Sequence, residues 1–332
     1  MGDVIELRPN PGPQEQFLAS HADIAIYGGQ AGGGKSFGLL LDPLRFVDVP
    51  GFGAVIFRRN ATDLTQEGGL WDESMKIYPA VGGRPRESMG KLDYRFKANS
   101  RISFAHLAQE DTVDSKQGGQ IPMIGFDELT HFTKYQFFYM LSRNRSNCGV
   151  KPYMRATCNP DPDSWVADFL AWWIDQEPKL SDGTPNPNYG HAIQERSGKI
   201  RWMAKIDDDI HWFDRKEDAE EFMINAGRTP RPLSVTFIHA TLDDNPKMNG
   251  REDYVSKLEA LDRISRERLL KGNWKVRATA GLVFKRSDFK IMELEDFNEK
   301  DITRRVRRWD FAGTEAAKAT TPGRMSAKLI RG

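Results

Sequence analysis

The chain has 332 residues, room for one large domain or two smaller ones with a core of useful size. Lysine and arginine number 48 against 47 acids, so net charge offers a polyanion no long-range attraction, and any nucleic-acid contact must come from a local patch. Cys148 and Cys158, the only cysteines, suggest neither a disulfide framework nor a zinc site. No apolar run nears the ~20 residues of a membrane span and the N-terminus lacks signal-peptide order, so a soluble intracellular protein with reduced thiols is expected.

Residues 1–13 read as an irregular lead-in. An apolar run at 24–27 predicts a strand that enters a glycine-rich loop, and the spacing over 36–47 predicts a helix interrupted near Pro43. A second strand at 54–57 ends at Arg58 and Arg59, and a helix follows over 70–78. Segments 93–98 and 101–106 flank Asn99 and Ser100 as a hairpin would. The run 123–126 reads as a strand buried on both faces that delivers Asp127. A helix at 134–145 and a strand at 153–158, ending at Asn159 and Pro160, come next.

This alternation predicts an α/β fold with a mostly parallel sheet covered by helices on both faces, and ligands at the carboxyl ends of its strands. Residues 177–189, dense in Pro, Asn, Asp and Gly, read as a surface connection. Strands are expected at 191–195, 199–205 and 234–240, with helices at 215–226, 251–261 and 265–271. A last strand is expected at 305–311. The breaks divide the chain into 1–176, 177–290, a charged linker at 291–303, and 304–332.

Gly29, Gln30, Ala31, Gly32, Gly33, Gly34, Lys35 and Ser36 satisfy G-x-x-x-x-G-K-[ST] in full, between a strand and a helix. Without Cβ atoms the glycines let backbone amides wrap phosphates. Lys35 would reach the β- and γ-phosphates and Ser36 would ligate Mg²⁺. Asp127, after four apolar residues, is placed to hold Mg²⁺, and Glu128 beside it suits a general base that polarises water. ATP and Mg²⁺ are therefore the expected cofactors, and hydrolysis the expected reaction.

Asn159 is a candidate for contacting the γ-phosphate or the lytic water, or is simply an Asn-Pro turn. Gln14 and Gln16 could offer an amide to the adenine edge. Arg58, Arg59, Arg143 and Arg145 are candidates for an arginine finger, a device worth ~10³ to 10⁵ in rate. His131 reads as a residue that caps or packs the following helix, and Asp207, Asp208 and Asp209 as a solvated turn. Arg304, Arg305, Arg307 and Arg308 would either touch phosphates or face outward.

The loop at 29–36, the run Asp127, Glu128, Leu129, Thr130, His131, Phe132 and the run Ala156, Thr157, Cys158, Asn159, Pro160 together resemble the large subunit of tailed-phage terminases. Residues 242–246, then Tyr254, Leu258 and Leu261, then 268–274, look like that family's lid subdomain. Residues 308–314 look like the first strand of its nuclease domain. The resemblance implies a P-loop ATPase core with a small lid. Such a protein pumps double-stranded viral DNA into a preformed capsid as a homo-oligomeric ring on the portal protein, with a terminase small subunit as partner, in the host cytoplasm.

By the same resemblance Lys35 and Ser36 serve phosphate and Mg²⁺, Asp127 Mg²⁺, Glu128 catalysis and Asn159 coupling. A glutamine of the Gln14 to Gln16 region lies near adenine, and Arg143 or Arg145 is the choice for a finger acting across subunits. The family's nuclease is RNase-H-like and needs several carboxylates around its metals. Asp310 would be the first, but Glu315 is the sole further acid before Gly332, so an incomplete nuclease is expected. Rival readings are a helicase-like, nucleic-acid-stimulated ATPase and an assembly protein with a vestigial ATP site.

Overall fold

The apolar runs at 24–27, 54–57, 123–126 and 153–158 all become strands at the centre of one sheet. A computed structural model describes residues 7–88, 91–110, 120–246, 251–277, 302–307 and 326–330. Its elements begin with α1 (Pro13–Ala19), β1 (Ile24–Gly29), α2 (Lys35–Leu41), β2 (Gly53–Arg58), α3 (Thr62–Thr65) and α4 (Leu70–Ile77). Next come β3 (Arg84–Ser88), β4 (Lys91–Arg95), β5 (Arg101–His106), β6 (Met123–Phe126), α5 (Lys134–Leu141), β7 (Tyr153–Cys158) and α6 (Trp165–Phe169). They continue with β8 (Ile200–Ile206), β9 (Asp209–Phe213), α7 (Lys216–Asn225), β10 (Leu233–Ala240), α8 (Arg251–Glu259) and α9 (Arg263–Leu269). All lie in the first of two compact units, residues 1–277. In the second, residues 278–332, β11 (Ile302–Arg307) and β12 (Ser326–Ile330) pair antiparallel.

The ten strands of the first unit are ordered β3-β4-β5-β2-β6-β7-β1-β10-β8-β9. From β5 to β10 every pairing is parallel, while β3 and β4 on one side and β8 and β9 on the other are antiparallel additions. The chemistry of the strands matches their places. Every residue of β1, β6 and β7 is buried, as strands covered on both faces require. β3, at one edge, carries Pro85 between Arg84 and Arg86, features that discourage further pairing.

Alternation along β1 feeds two cores. Ile24 and Ile26 join Phe126, Phe137, Trp173 and Trp274 on one face, and Ala25 and Tyr27 join Phe17, Leu39, Ile56 and Tyr78 on the other. Arg155, buried in the middle of β7, is tolerated because its guanidinium donates to the carbonyls of Ser20, Ala22 and Met154 and lies 3.3 Å from Asp42 Oδ1.

The predicted α/β class, with its largely parallel sheet, is the observed one. Several local expectations differ. The helix expected to reach 145 stops at Leu141, because Asn144 turns to donate to the carbonyls of Ile121, Pro122 and Tyr153. Residues 191–195 make one bridge, Ile174 to Ala192, and then a 3-10 turn at Gln194–Arg196 instead of a strand. β3 and β9 were not expected. Asp207, at φ 52°, makes the tight exposed turn between β8 and β9 that the aspartate run suggested. β10 pairs directly with β1, so the sheet takes strands from both sides of residue 177. The strand expected at 305–311 is seen over Ile302–Arg307; most of the proposed linker, and Arg308, Asp310 and Glu315, lie outside the described residues.

Candidate nucleotide site

β1 ends in two glycines that nothing larger could replace. A Cβ on Gly29, at φ 138°, would stand 2.2 Å from the carbonyl oxygen of Ala240, and one on Gly28 would stand 2.6 Å from Cys158 Sγ. The loop that follows is held by its carbonyls. Asn245 Nδ2 donates to Gly32 O at 2.8 Å, the Tyr27 hydroxyl to Gly33 O at 3.1 Å, and Gln14 Nε2 to Gly34 O at 2.8 Å. In a trans peptide the next N–H points opposite to its carbonyl, so the amides of Gly33, Gly34 and Lys35 are each directed away from those side chains. Successive free amides of this kind are what an anion-binding nest is built from.

The first residues of the loop are braced from outside. Gln30 N donates to Ala240 O at 2.9 Å and Ala31 N to Leu269 O at 2.8 Å, while Gln30 Oε1 accepts from Leu242 N at 2.8 Å. Lys35 is only 9% exposed, and its ammonium donates back to Gln30 O. Burial lowers its pKa to about 8, against the attraction of the Glu128 and Asp127 carboxylates. Burial also raises the Cys158 thiol to about 12, so it stays neutral beside the lysine.

The acids arrive on β6. Asp127 N continues the β2 ladder by donating to Phe57 O at 2.9 Å, which carries the fully buried side chain to the sheet's carboxyl edge. Its Oδ1 accepts from Ser36 Oγ at 3.0 Å and from Thr157 Oγ1 at 2.5 Å. Its Oδ2 lies 2.9 Å from Arg58 Nε but has no aligned donor. Glu128 then leaves the strand with φ 59° and ψ 62°, a left-handed conformation costing a non-glycine residue ~1–3 kcal/mol. Its amide donates to Thr157 Oγ1 at 3.1 Å; Arg58 Nη1 and His131 Nε2 each lie 3.4 Å from one of its carboxylate oxygens.

Thr157, named in the motif but given no role, thus joins both acids. The signal was in the register, since Phe126 lies beside Ala156 and the residues after them are therefore neighbours. The isosteric Thr157→Val is expected to slow any turnover about tenfold, because it strands a peptide N–H and frees Asp127, a loss of ~1–3 kcal/mol. Phosphate release by the folded variant checks this, and unchanged release would remove Thr157 from the site.

Asn159 follows Cys158, which pairs with Gly28, so it stands beside the start of the loop. Its Oδ1 is buried without a partner. The Asp127 carboxylate and the Ser36 hydroxyl, 3.0 Å apart, are hard oxygen donors of the kind that Mg²⁺ prefers. Among the described residues no cluster of three His, Cys, Asp or Glu could hold a metal by itself.

Of the other expected residues, Gln14 touches the loop. Gln14 is fully buried and spends its amide within the protein, on Gly34 O and, through Oε1, on Asn10 N at 2.5 Å; Gln16 is exposed beside Gly198. Arg143 lies at the opposite end of β6 from Asp127, where its carbonyl accepts from Ile121 N and its guanidinium stacks on Tyr139 at 5.1 Å. Arg145 is exposed nearby in sequence. Arg59 binds Gln136 at 2.8 Å, so of the four arginines Arg58 is the one that meets the acids within the chain. Asp310 lies outside the described residues.

A parallel sheet, a glycine-rich lysine loop after β1, and an acid at the end of a strand two places away define an α/β fold of the P-loop class. A family model for the terminase large subunit, T4likevirus-type, N-terminal part, matches residues 26–291, and the chain belongs to that family of phage terminase large subunits. No curated protein matches.

Among solved structures the chain is similar to the large terminase of the thermophilic bacteriophage D6E, with a TM-score of 0.50 and 14% identity over 80% of this chain and 54% of that one. A D6E large terminase in complex with ATP-gamma-S gives a TM-score of 0.47 at 13% identity, over 80% of this chain and 53% of that one. The ATPase domain of the Thermus phage P74-26 large terminase gives 0.46 at 12%, over 79% and 93%. The chain spans about half the length of the D6E proteins, and the likeness to the first of them is one of fold.

Proposed function

We propose that this chain is the ATP-hydrolysing part of a phage terminase motor, which moves double-stranded viral DNA into the procapsid. The observation that carries the reading is the continuous contact from Ser36 through Asp127 and Thr157 to Glu128, set beside Lys35 and the amides of the loop. Those amides and Lys35 would hold the phosphates. Ser36 and Asp127 would hold Mg²⁺, which when bound neutralises charge on the phosphate oxygens.

Glu128 takes the proton of the attacking water as its oxygen bonds to the γ-phosphorus. The bond to the bridging oxygen breaks, and ADP leaves with that electron pair. Asn159 donates to the γ-phosphate or orients the water. Arg58 neutralises the acids within the chain, so a finger from a neighbouring subunit remains part of the proposal, with Arg143 or Arg145 acting only across such a boundary. The expected partners are a second copy in a ring, the portal protein, a small subunit and DNA. No described helix is long and apolar enough to cross a membrane.

The purified chain should release phosphate from ATP in the presence of Mg²⁺, faster with double-stranded DNA, without separating strands. Strand separation would favour a helicase. Tight ATP binding without phosphate release would make the site vestigial and refute the motor reading.

A further inference from the structure

Helix α9 touches both ends of the candidate site through two consecutive residues. Arg268 Nε donates to Pro160 O at 2.9 Å, and its Nη2 lies 3.1 Å from Asp161 Oδ1, so the guanidinium grips the two residues directly after Asn159. The carbonyl of Leu269 accepts from Ala31 N in the phosphate loop at 2.8 Å. Gly272, at φ 73°, brings the chain beyond the helix close enough that an added Cβ would meet Gln30 Cγ at 3.3 Å.

The far end of this segment is fixed as firmly. Asn273 Nδ2 donates to Tyr189 O at 2.8 Å, and Trp274 is fully buried with its ring 6.1 Å from Phe237. Between these anchors the Arg268 contact is the more exposed one. Both partners are about a third exposed, and the grip is a carbonyl and a carboxylate on a turn rather than a packed core. A shift of the turn after Asn159 therefore moves the charge and the acceptor that Arg268 holds, while the Leu269 carbonyl keeps the helix tied to the loop.

We propose that Arg268 is a positioning residue that couples the turn after Asn159 to α9, so that the state of the phosphate site is reported to α9. This rests on the assignment of 29–36 and Asn159 to a phosphate site. It predicts an effect on turnover and on the order of α9 that exceeds any effect on nucleotide binding.

The test compares wild type with Arg268→Ala, Arg268→Lys and Asp161→Ala. It measures fluorescent ADP binding with Mg²⁺, the kcat and KM for ATP, thermal melting, and amide exchange with and without ATP-gamma-S. For Arg268→Ala the expectation is ADP affinity within about threefold of wild type and kcat lowered about tenfold, partly restored in Arg268→Lys. Addition of ATP-gamma-S should protect the amides of α9 in wild type but not in Arg268→Ala, while the loop at 29–36 is protected in both. Asp161→Ala should reproduce part of the kcat loss.

Equal protection of α9 in wild type and Arg268→Ala would overturn the proposal. So would a parallel fall of melting temperature, affinity and kcat that Arg268→Lys leaves uncorrected. A wild-type chain that neither binds ADP nor hydrolyses ATP would instead overturn the underlying site assignment, a separate result.

Discussion

Glu128→Gln is expected to lower ATP turnover by ~10² to 10⁴ while the chain still binds ATP, the loss associated with removing a positioned general base. Glutamine preserves the shape of the side chain and the backbone bond from residue 128 to Thr157, but an amide cannot accept the proton of water. Nothing that holds phosphate is altered: Lys35, the loop amides, Ser36 and Asp127 keep their contacts. Single-turnover phosphate release and titration calorimetry with ATP separate the two effects. Hydrolysis within a few fold of wild type would move the base elsewhere, and lost ATP binding would mean that residue 128 shapes the site rather than acting in it.

Lys35→Ala is expected to abolish detectable nucleotide binding without unfolding the protein. The unliganded fold carries this cation at a cost. Its pKa falls from 10.5 to about 8 on burial, so the charge opposes folding below about pH 8, and the penalty is relieved as pH rises from about 8 toward 10.5. Removing the ammonium therefore removes a liability, and the unliganded variant should melt within a few degrees of wild type at pH 7.

The same shift sets the sign of the pH effect on binding. A bound polyphosphate favours the ammonium, so binding takes up a proton once the free site begins to lose one. ADP affinity should fall as pH rises through about 8, by at most tenfold per pH unit. Titrations in buffers of different ionisation enthalpy would detect that proton. Affinity independent of pH between 7 and 9.5 would show that Lys35 does not meet the phosphates.

Much of this site was legible in the sequence because its parts are local signatures. The loop needs eight consecutive residues, and Asp127 with Glu128 needs only a short apolar run before it. What could not be read depends on register between distant strands. Thr157 joins the acids because β7 lies beside β6, and Arg58 reaches them because β2 flanks β6 on its other side. Gln14 carried the right functional group but is consumed in holding the loop.

The missed strands have the same explanation. β3 reads R-P-R-E-S, a sequence with no apolar alternation that becomes a strand only because β4 offers a partner. Over 191–195 the reverse holds: the composition admitted a strand, but the paired chain ends after one bridge and a 3-10 turn takes over.

The middle position of β1 has a consequence for how the molecule is made. Ile24 lies beside Met154 and Val235, and the loop after β1 is walled by Ala240, Asn245 and Leu269. At ~5–20 residues per second, these walls leave the ribosome on the order of 10 to 50 s after the loop itself. β7 can cover one side of β1 about halfway through that interval, but the side that takes β10 waits until its end. Nascent chains of this protein thus present an unpaired hydrophobic edge until β10 is made, a natural target for chaperones.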